Sequence, residues 1–236
     1  MTTTAVITGA AGGIGAATAR RLSASGTRCV VVDRNPEVHR VAESIGGTAI
    51  IGDLTDPETS ARAVAAAGEH LDILVLNAGR NCADKDLATL DPHVYQSIVG
   101  VNQNAAVWGL RAALPVMRRQ GHGSIVITAS LAALHGVEQD IIYTMTKHAV
   151  IGLVRAASAP LAREGILLNA VCPGLVDTPL TAGGRDHFLA AGIPMLPAEQ
   201  VAEAVEYLLR SGQSGVELVV QPGKPAAPYV AAPLPS

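Results

Sequence analysis

The stretch from residue 4 to residue 33 constrains the chain more than any other, because it prescribes a strand, a glycine turn, a helix and a second strand in succession. Thr4-Ala-Val-Ile-Thr-Gly9 is a short β-branched run that feeds into Ala10-Ala-Gly12-Gly13-Ile14-Gly15, where bulky side chains are absent over most of the turn. Glycine belongs where a backbone must take positive φ or let another group come close. Residues 16 to 22 are alanine-rich and read as helix, so the free N–H groups of its first turn point into the glycine loop. Unpaired donors and the positive end of the helix dipole coincide there, which attracts phosphate. Arg28-Cys-Val-Val-Val-Asp33 then reads as a buried strand that ends on a carboxylate. An acid roughly 20 residues beyond such a turn is placed to catch the ribose diol of a dinucleotide.

The rest of the chain extends this unit. Strand-like runs recur at residues 5 to 8, 29 to 32, 48 to 51, 73 to 76, 124 to 128, 166 to 171 and 217 to 220, with helical segments between them. That alternation predicts an α/β fold: one Rossmann-type domain with a doubly wound parallel sheet of about seven strands and helices on both faces. The domain is expected over residues 1 to 223, followed by a tail over 224 to 236 in which Pro225, Pro228, Pro233 and Pro235 forbid a regular helix. Such a tail either hangs free or lies extended on the body or a neighbour.

Bulk properties exclude several function classes. A net charge of −3 with scattered Lys and Arg gives no basic stripe, which argues against nucleic acid and against an anionic membrane surface. No apolar run reaches spanning length and the N-terminal residues lack the pattern of a signal peptide, so a cytoplasmic protein is expected. Cys29, Cys82 and Cys172 are odd in number and far apart, which reads as reduced thiols. The seven histidines show no pair at ligand spacing, so no metal site is expected.

In open parallel sheets ligands sit beyond the carboxyl ends of the strands. Small or polar residues follow four successive strands here: Gly52-Asp53-Leu54, Asn77-Ala78-Gly79, Ala129-Ser130 and Cys172-Pro173-Gly174. Asp53 has a second reading as the start of a helix, with Asp56-Pro57 close behind it. Tyr143-Thr-Met-Thr-Lys147 opens a helix running to about residue 163, and a spacing of four puts phenol and ammonium on one face. At an effective dielectric of about 20, a charge about 4 Å away is worth about 4 kcal/mol. That would draw a phenol toward neutral pKa, the range in which a general base works best. Ser130 ends a strand 13 residues earlier, close enough to fold back beside the tyrosine. Asn102 lies inside a helical region spanning 94 to 118, an unpromising place for an asparagine, whose amide competes with the backbone for hydrogen bonds.

Taken together, Thr8-Gly9-Ala-Ala-Gly12-Gly13-Ile14-Gly15, Asn77-Ala78-Gly79, Asn102, Ser130, Tyr143-x-x-x-Lys147 and Pro173-Gly174-Leu-Val-Asp-Thr178 resemble a short-chain dehydrogenase/reductase over roughly residues 3 to 222. The resemblance implies a nicotinamide dinucleotide across the carboxyl edge of the sheet and exchange of a secondary alcohol with a ketone by hydride transfer. Tyr143 is then the general acid/base, Lys147 lowers its pKa and holds the nicotinamide ribose, Ser130 orients the carbonyl or alcohol, and Asn102 holds a water in a relay through Lys147. Gly9, Gly12, Gly13, Ile14 and Gly15 form the cofactor loop. Asp53 and Leu54 flank the adenine, Asn77, Ala78 and Gly79 line the floor, and Pro173, Gly174, Val176 and Thr178 reach the nicotinamide amide. The family commonly has two asparagines before Ala-Gly, whereas this chain has Leu76-Asn77. The alternatives are a catalytically silent cofactor-binding regulator of the same fold and an NADP-dependent carbonyl reductase.

Asp33 favours NAD over NADP, since a carboxylate accepts from a 2′-hydroxyl and repels a 2′-phosphate. The neighbouring Arg34 is the counterweight, because a guanidinium could stack on adenine or meet that phosphate. The substrate pocket is expected from residues 80 to 83, 131 to 140 and 175 to 197, with Asn81, His135, Gln139 and Asp140 as polar candidates. The segment between Thr178 and Pro197, with Gly183-Gly184 as a hinge, reads as a small lid over a fairly open pocket. Cys82 and Cys172 lie near the expected site without an evident base partner. Ala and Val spread around much of the helices over 94 to 118 and 144 to 163, and the resemblance suggests that these pair in a homodimer or homotetramer.

Overall fold

The computed structural model describes residues 2–82 and 86–231. The first half runs β1 (Thr4–Thr8), α1 (Gly13–Ala24), β2 (Arg28–Asp33), α2 (Val38–Ile45), β3 (Thr48–Ile51), α3 (Pro57–Ala67), β4 (Ile73–Leu76) and α4 (Pro92–Val99). A π-helical turn, Gly100–Asn104, joins α4 to α5 (Ala105–Gln120). There follow β5 (Gly123–Thr128), α6 (Ile141–Ala162), β6 (Ile166–Pro173), α7 (Arg185–Ala190), α8 (Ala198–Arg210), β7 (Glu217–Val220) and β8 (Ala227–Pro228).

The strands form one sheet in the order β3-β2-β1-β4-β5-β6-β7-β8, parallel throughout except for the last pair. Side chains of a strand alternate between faces, and the sequence exploits this. Val6, Val30, Val32, Leu74, Ile125 and Leu168 pack toward α3, α5 and α6. Ala5, Ile7, Val31, Val75, Val126 and Val171 pack toward α1, α2 and α8. Two apolar layers on one sheet explain why the strand runs are almost wholly hydrophobic, as a parallel sheet buried on both faces requires.

The chain doubles back at β1, whose neighbours are β2 on one side and β4 on the other. Crossovers leave this point in opposite directions, opening a crevice beyond the carboxyl ends of β1 and β4. It is there that Gly9 and the Asn77–Ala78–Gly79 turn meet.

One feature departs from the sequence expectation, and a second settles which of the expected placements part of the tail takes, extended on the body. The helical region over 94 to 118 is interrupted, and the interruption contains Asn102. The sheet has an eighth strand, drawn from the proline-rich tail: Ala227 and Pro228 pair antiparallel with Val219 and Leu218, and the Tyr229 N–H donates to the Glu217 carbonyl at 2.8 Å. Proline is tolerated on such an edge because one side of the strand needs no donor. Pro233 and Pro235 lie outside the described residues, as does Ala83 of the expected pocket wall. Among the described residues no helix is long and apolar enough to cross a membrane, and no group of three His, Cys, Asp or Glu side chains could hold a metal ion.

Candidate active site

The β1–α1 turn is a cradle made of backbone. Helix α1 starts at Gly12 with no side-chain cap, whereas Asp56, Asp91 and Asp140 cap α3, α4 and α6. Its first-turn N–H groups are therefore left for a ligand. Gly9 has φ 67°, and a Cβ there would lie 2.8 Å from the Ala78 Cα; a Cβ on Gly15 would lie 2.3 Å from the Gly9 oxygen. No side chain fits at either place. Asp33 ties the turn to the end of β2, its Oδ2 accepting from the Ala11 N–H at 3.0 Å and its Oδ1 from the Asn35 N–H at 2.9 Å.

The floor is equally fixed. Asn77 Nδ2 donates to the carbonyls of Thr8 (3.2 Å) and Gly9 (3.1 Å), and its Oδ1 accepts from Thr128 Oγ1 at 3.1 Å. Thr8 Oγ1 accepts from the N–H groups of Asn77 (3.0 Å) and Ala78 (3.3 Å). Leu76, where the family commonly has another asparagine, is buried in the core instead.

At the adenine end Leu54 is buried while Asp53 and Arg34 are exposed, and Asp53 Oδ1 accepts from the Thr55 N–H at 2.9 Å. The helix start after β3 belongs to Asp56, which accepts from the Glu58 N–H at 3.0 Å. Beyond β6, which ends on Pro173, the Gly174 N–H donates to the Val220 carbonyl at 2.9 Å and Val176 bridges to Leu196. The chain then returns to the glycine loop: the Thr178 methyl lies 3.0 Å, and Pro179 Cγ 3.4 Å, from where a Cβ of Gly13 and of Gly12 would be. Ile14, on the first turn of α1, is half-buried beside them.

The reactive side chains come from β5 and α6. Ser130 Oγ follows β5, accepts from the Ala132 N–H at 3.1 Å and is hydrogen-bonded to the Tyr143 phenol. Lys147 is buried, donates to the Thr128 carbonyl at 2.8 Å, and has its Nζ 5.5 Å from the centroid of the Tyr143 ring. Lys147 Nζ and Asn102 Oδ1 each lie 3.4 Å from where a Cβ of Gly79 would be, so both converge on the floor of the crevice. Serine, tyrosine, lysine and asparagine are thus brought to one place by elements separated by tens of residues.

The geometry corrects the expected electrostatics. Burial pushes Tyr143 up to about 12; the hydrogen bond with Ser130 opposes this and the Asp140 carboxylate adds to it. Burial pushes Lys147 down to about 8, with Cys172 at the end of β6 opposing. The ammonium sits over the ring and is aimed at the Thr128 carbonyl, so loss of water dominates both groups. Tyr143 keeps part of its surface open.

The side chain of Asn102 is held by protein groups. Its Oδ1 accepts from the Arg80 N–H at 2.9 Å, and its Nδ2 donates to the Arg80 carbonyl and to Thr146 Oγ1, both at 2.9 Å. These contacts fix the side chain between the loop after β4 and α6. The wider π turn gives it that orientation, which an unbroken helix would not. Thr128 and Thr146 were missed by the sequence reading, although Thr146 carries a signal: a small hydroxyl directly before the lysine on a helix.

The candidate pocket residues separate. Asp140 is the N-cap of α6, accepting from the N–H groups of Tyr143 (3.1 Å) and Cys82 (2.9 Å), which makes it a fastener of α6 to the loop after β4. Asn81 Nδ2 donates to the Leu180 carbonyl at 3.3 Å, which ties the expected lid to the loop after β4, and Arg185 pairs with Asp177 at 2.6 Å where that segment begins. His135 and Gln139 are exposed, the former with Nδ1 3.1 Å from the Gly136 carbonyl oxygen and the latter donating to Glu138 at 2.9 Å. Cys29 and Cys172 are free, buried thiols; burial pushes Cys29 up to about 11 and Cys172 up to about 12, which suppresses thiolate, and Cys82 is half-buried at the mouth.

The short chain dehydrogenase family profile matches residues 3–187. The 2-(R)-hydroxypropyl-CoM dehydrogenase of Xanthobacter autotrophicus is 35% identical over 231 residues, covering 88% of this chain and 91% of that protein. Among solved structures, the 3-ketoacyl-(acyl-carrier-protein) reductase from Brucella melitensis complexed with NADH is similar with a TM-score of 0.87 and 28% identity, over 94% of this chain and 97% of that one. An actinorhodin polyketide ketoreductase variant with NADPH gives a TM-score of 0.86 and 30% identity, over 94% and 95%. The chain belongs to the short-chain dehydrogenase/reductase family, and it is an NAD(P)-dependent oxidoreductase acting on CH–OH groups.

Proposed function

We propose that the protein interconverts a secondary alcohol and a ketone with NAD, Tyr143 moving the proton. The observation that carries this reading is the meeting of Ser130, Tyr143 and Lys147 at the cofactor floor, with Lys147 and Asn102 each 3.4 Å from the Gly79 Cβ position. The residues present fit a dinucleotide: α1 begins without a side-chain cap, the turn before it admits no Cβ at Gly9 or Gly15, and Asp33 stands at the end of β2. When bound, the nicotinamide supplies or takes up the hydride. Ser130 and Tyr143 hold the substrate oxygen, and a phenol that rests protonated gives its proton to a carbonyl oxygen as the carbinol forms. Lys147 then carries positive charge beside the ring where a phenolate is left.

Asp33 supports NAD, because its fixed carboxylate repels a second phosphate; exposed Arg34 beside it is what an NADP-dependent carbonyl reductase would use. The substrate body is assigned to the space between residues 131–140 and the 178–197 segment, with Asn81, His135 and Gln139 as polar contacts. Tyr143→Phe tests the reading. With NADH fluorescence followed across a panel of ketones and secondary alcohols, the variant should lose hydride transfer by about 10²-fold or more while its NADH affinity stays near that of the parent. Turnover unchanged in the variant would reject the assignment, and a parent that binds NADH but turns over nothing would point to the silent regulator.

A further inference from the structure

We propose that Thr146 is a positioning residue: its hydroxyl locks the register of α6 against the loop that follows β4, and so sets where Lys147 and Tyr143 stand. The inference rests on the reading that those two residues perform the chemistry. Thr146 is completely buried. Its Oγ1 donates to the Tyr143 carbonyl at 2.8 Å and accepts from Asn102 Nδ2 at 2.9 Å. Asn102 in turn grips the Arg80 N–H and carbonyl, both at 2.9 Å. A continuous chain of hydrogen bonds therefore runs from the loop carrying Gly79 and Arg80, through the π turn, into the first turn of α6.

Threonine commonly bonds back to its own helix, and alone that bond does little. Here the same oxygen also accepts a donor from a residue 44 positions away. Valine has the same shape but no acceptor, so it would leave a buried N–H of Asn102 unpaired, a penalty of about 1–3 kcal/mol. The structure avoids that penalty by sliding or loosening α6. Lys147 is the next residue along, and its Nζ reaches both the Thr128 carbonyl and the Gly79 position. Tyr143, one turn earlier, supplies the carbonyl that Thr146 holds. A displacement of about 1 Å in such a group can lower a rate by about 10²-fold.

The test uses the full chain with Thr146→Val and Thr146→Ser. One readout needs no coenzyme and no substrate. Lys85, Lys147 and Lys224 are the lysines of the chain, so ¹³Cε-labelled lysine allows the titration of Lys147 to be followed by NMR, assigned with Lys147→Met. The groups facing Lys147 are Tyr143 from its own helix, Cys172 from β6 and the Thr128 carbonyl from β5. In Thr146→Val the Lys147 midpoint should rise by about one pH unit as water reaches a loosened helix, and in Thr146→Ser it should stay at the parent value. The second readout uses cyclohexanone and ethyl acetoacetate as probe ketones. The kcat of Thr146→Val should fall about 10- to 100-fold with KM nearly unchanged, Thr146→Ser should recover most of it, and Asn102→Ala should cost less in the valine background than in the parent.

A valine variant with the parent's midpoint and kcat overturns the proposal. So does failure of serine to rescue, which would assign the effect to the methyl group, and so does an additive loss with Asn102→Ala. If Thr146→Val does not fold, Thr146→Cys, a poor acceptor of similar size, carries the same comparison. Failure of the parent to reduce any ketone would strike the proposed function, while the lysine titration would still decide the role of Thr146.

Discussion

The two sides of the crevice are built on opposite principles. On the β1–α1 side the working groups are backbone N–H donors, a turn too crowded for Cβ atoms, and one partly open carboxylate, Asp33, bonded to two backbone N–H groups. On the β5–α6 side the working groups are side chains, two of them titratable and dehydrated, held by hydrogen bonds between residues 19 to 44 positions apart. The first arrangement is nearly neutral in stability, because a capless helix start is satisfied by water until a ligand arrives. The second carries an unfavourable buried charge whenever Lys147 is protonated. Binding is thus assigned to groups that fold without strain, and chemistry to groups that the fold must hold in place.

That contrast breaks most sharply at Lys147. Its folded pKa of about 8 lies below the ordinary 10.5, so between those values the unfolded chain binds more protons than the folded one. Stability of the parent therefore rises with pH across that window, and below it the full penalty, on the order of 3 kcal/mol, is present. Loss of the hydrogen bond to Thr128 offsets about 1 kcal/mol of this. Lys147→Met should consequently raise Tm by a few degrees at pH 7, and the gain should fade toward pH 10. The same variant should lose about 10²-fold or more in kcat/KM for ketone reduction. A Tm below the parent's at pH 7, read by calorimetry on coenzyme-free protein, would mean that the catalytic side stores no such penalty.

The cradle side is probed by Asp33. On the proposed NAD reading, Asp33→Ser removes the charge that would repel a 2′-phosphate, and it weakens the tether to Ala11. The ratio of kcat/KM for NAD over NADP should drop about 10- to 100-fold, the worth of a hydrogen bond to a charged group, with Tm little changed. A ratio that does not move would transfer the preference to Arg34 or elsewhere.

The same asymmetry governs what could be read from the sequence. The cradle is local: a β-branched run, the glycines from 9 to 15 and an acid at 33 declare themselves within 30 residues. The seven parallel strands were equally plain, since burial on both faces leaves almost continuous apolar runs. The residues proposed to be catalytic were legible as types, through Ser130 and the Tyr143-to-Lys147 spacing, but their electrostatics were not. Spacing of four put the ammonium near the ring; it did not reveal that Nζ turns to the Thr128 carbonyl, or that burial outweighs the pair's attraction. The π turn at Gly100–Asn104 was hidden because helical periodicity continues on either side of it. β8 was hidden by its prolines, which rule out helix without announcing an edge strand.

Two aspartates give the finest comparison, because they do one job on opposite sides. Asp56 caps α3 with a single bond to the Glu58 N–H, and asparagine can accept that bond equally well. Asp56→Asn should therefore change Tm and activity hardly at all. Asp140 caps α6 through Oδ1 and holds the Cys82 N–H through Oδ2, and asparagine has one acceptor oxygen for the two donors. Asp140→Asn should lower stability by about 1–2 kcal/mol. It should also act on Tyr143, whose pKa the carboxylate raises: with the negative charge gone the phenolate is less disfavoured, its midpoint falls, and the alkaline limb of kcat for ketone reduction moves to lower pH. An unchanged alkaline limb, with the loss of stability alone, would show that Asp140 is a cap of the same kind as Asp56 and that the charge on the catalytic side stops at Lys147.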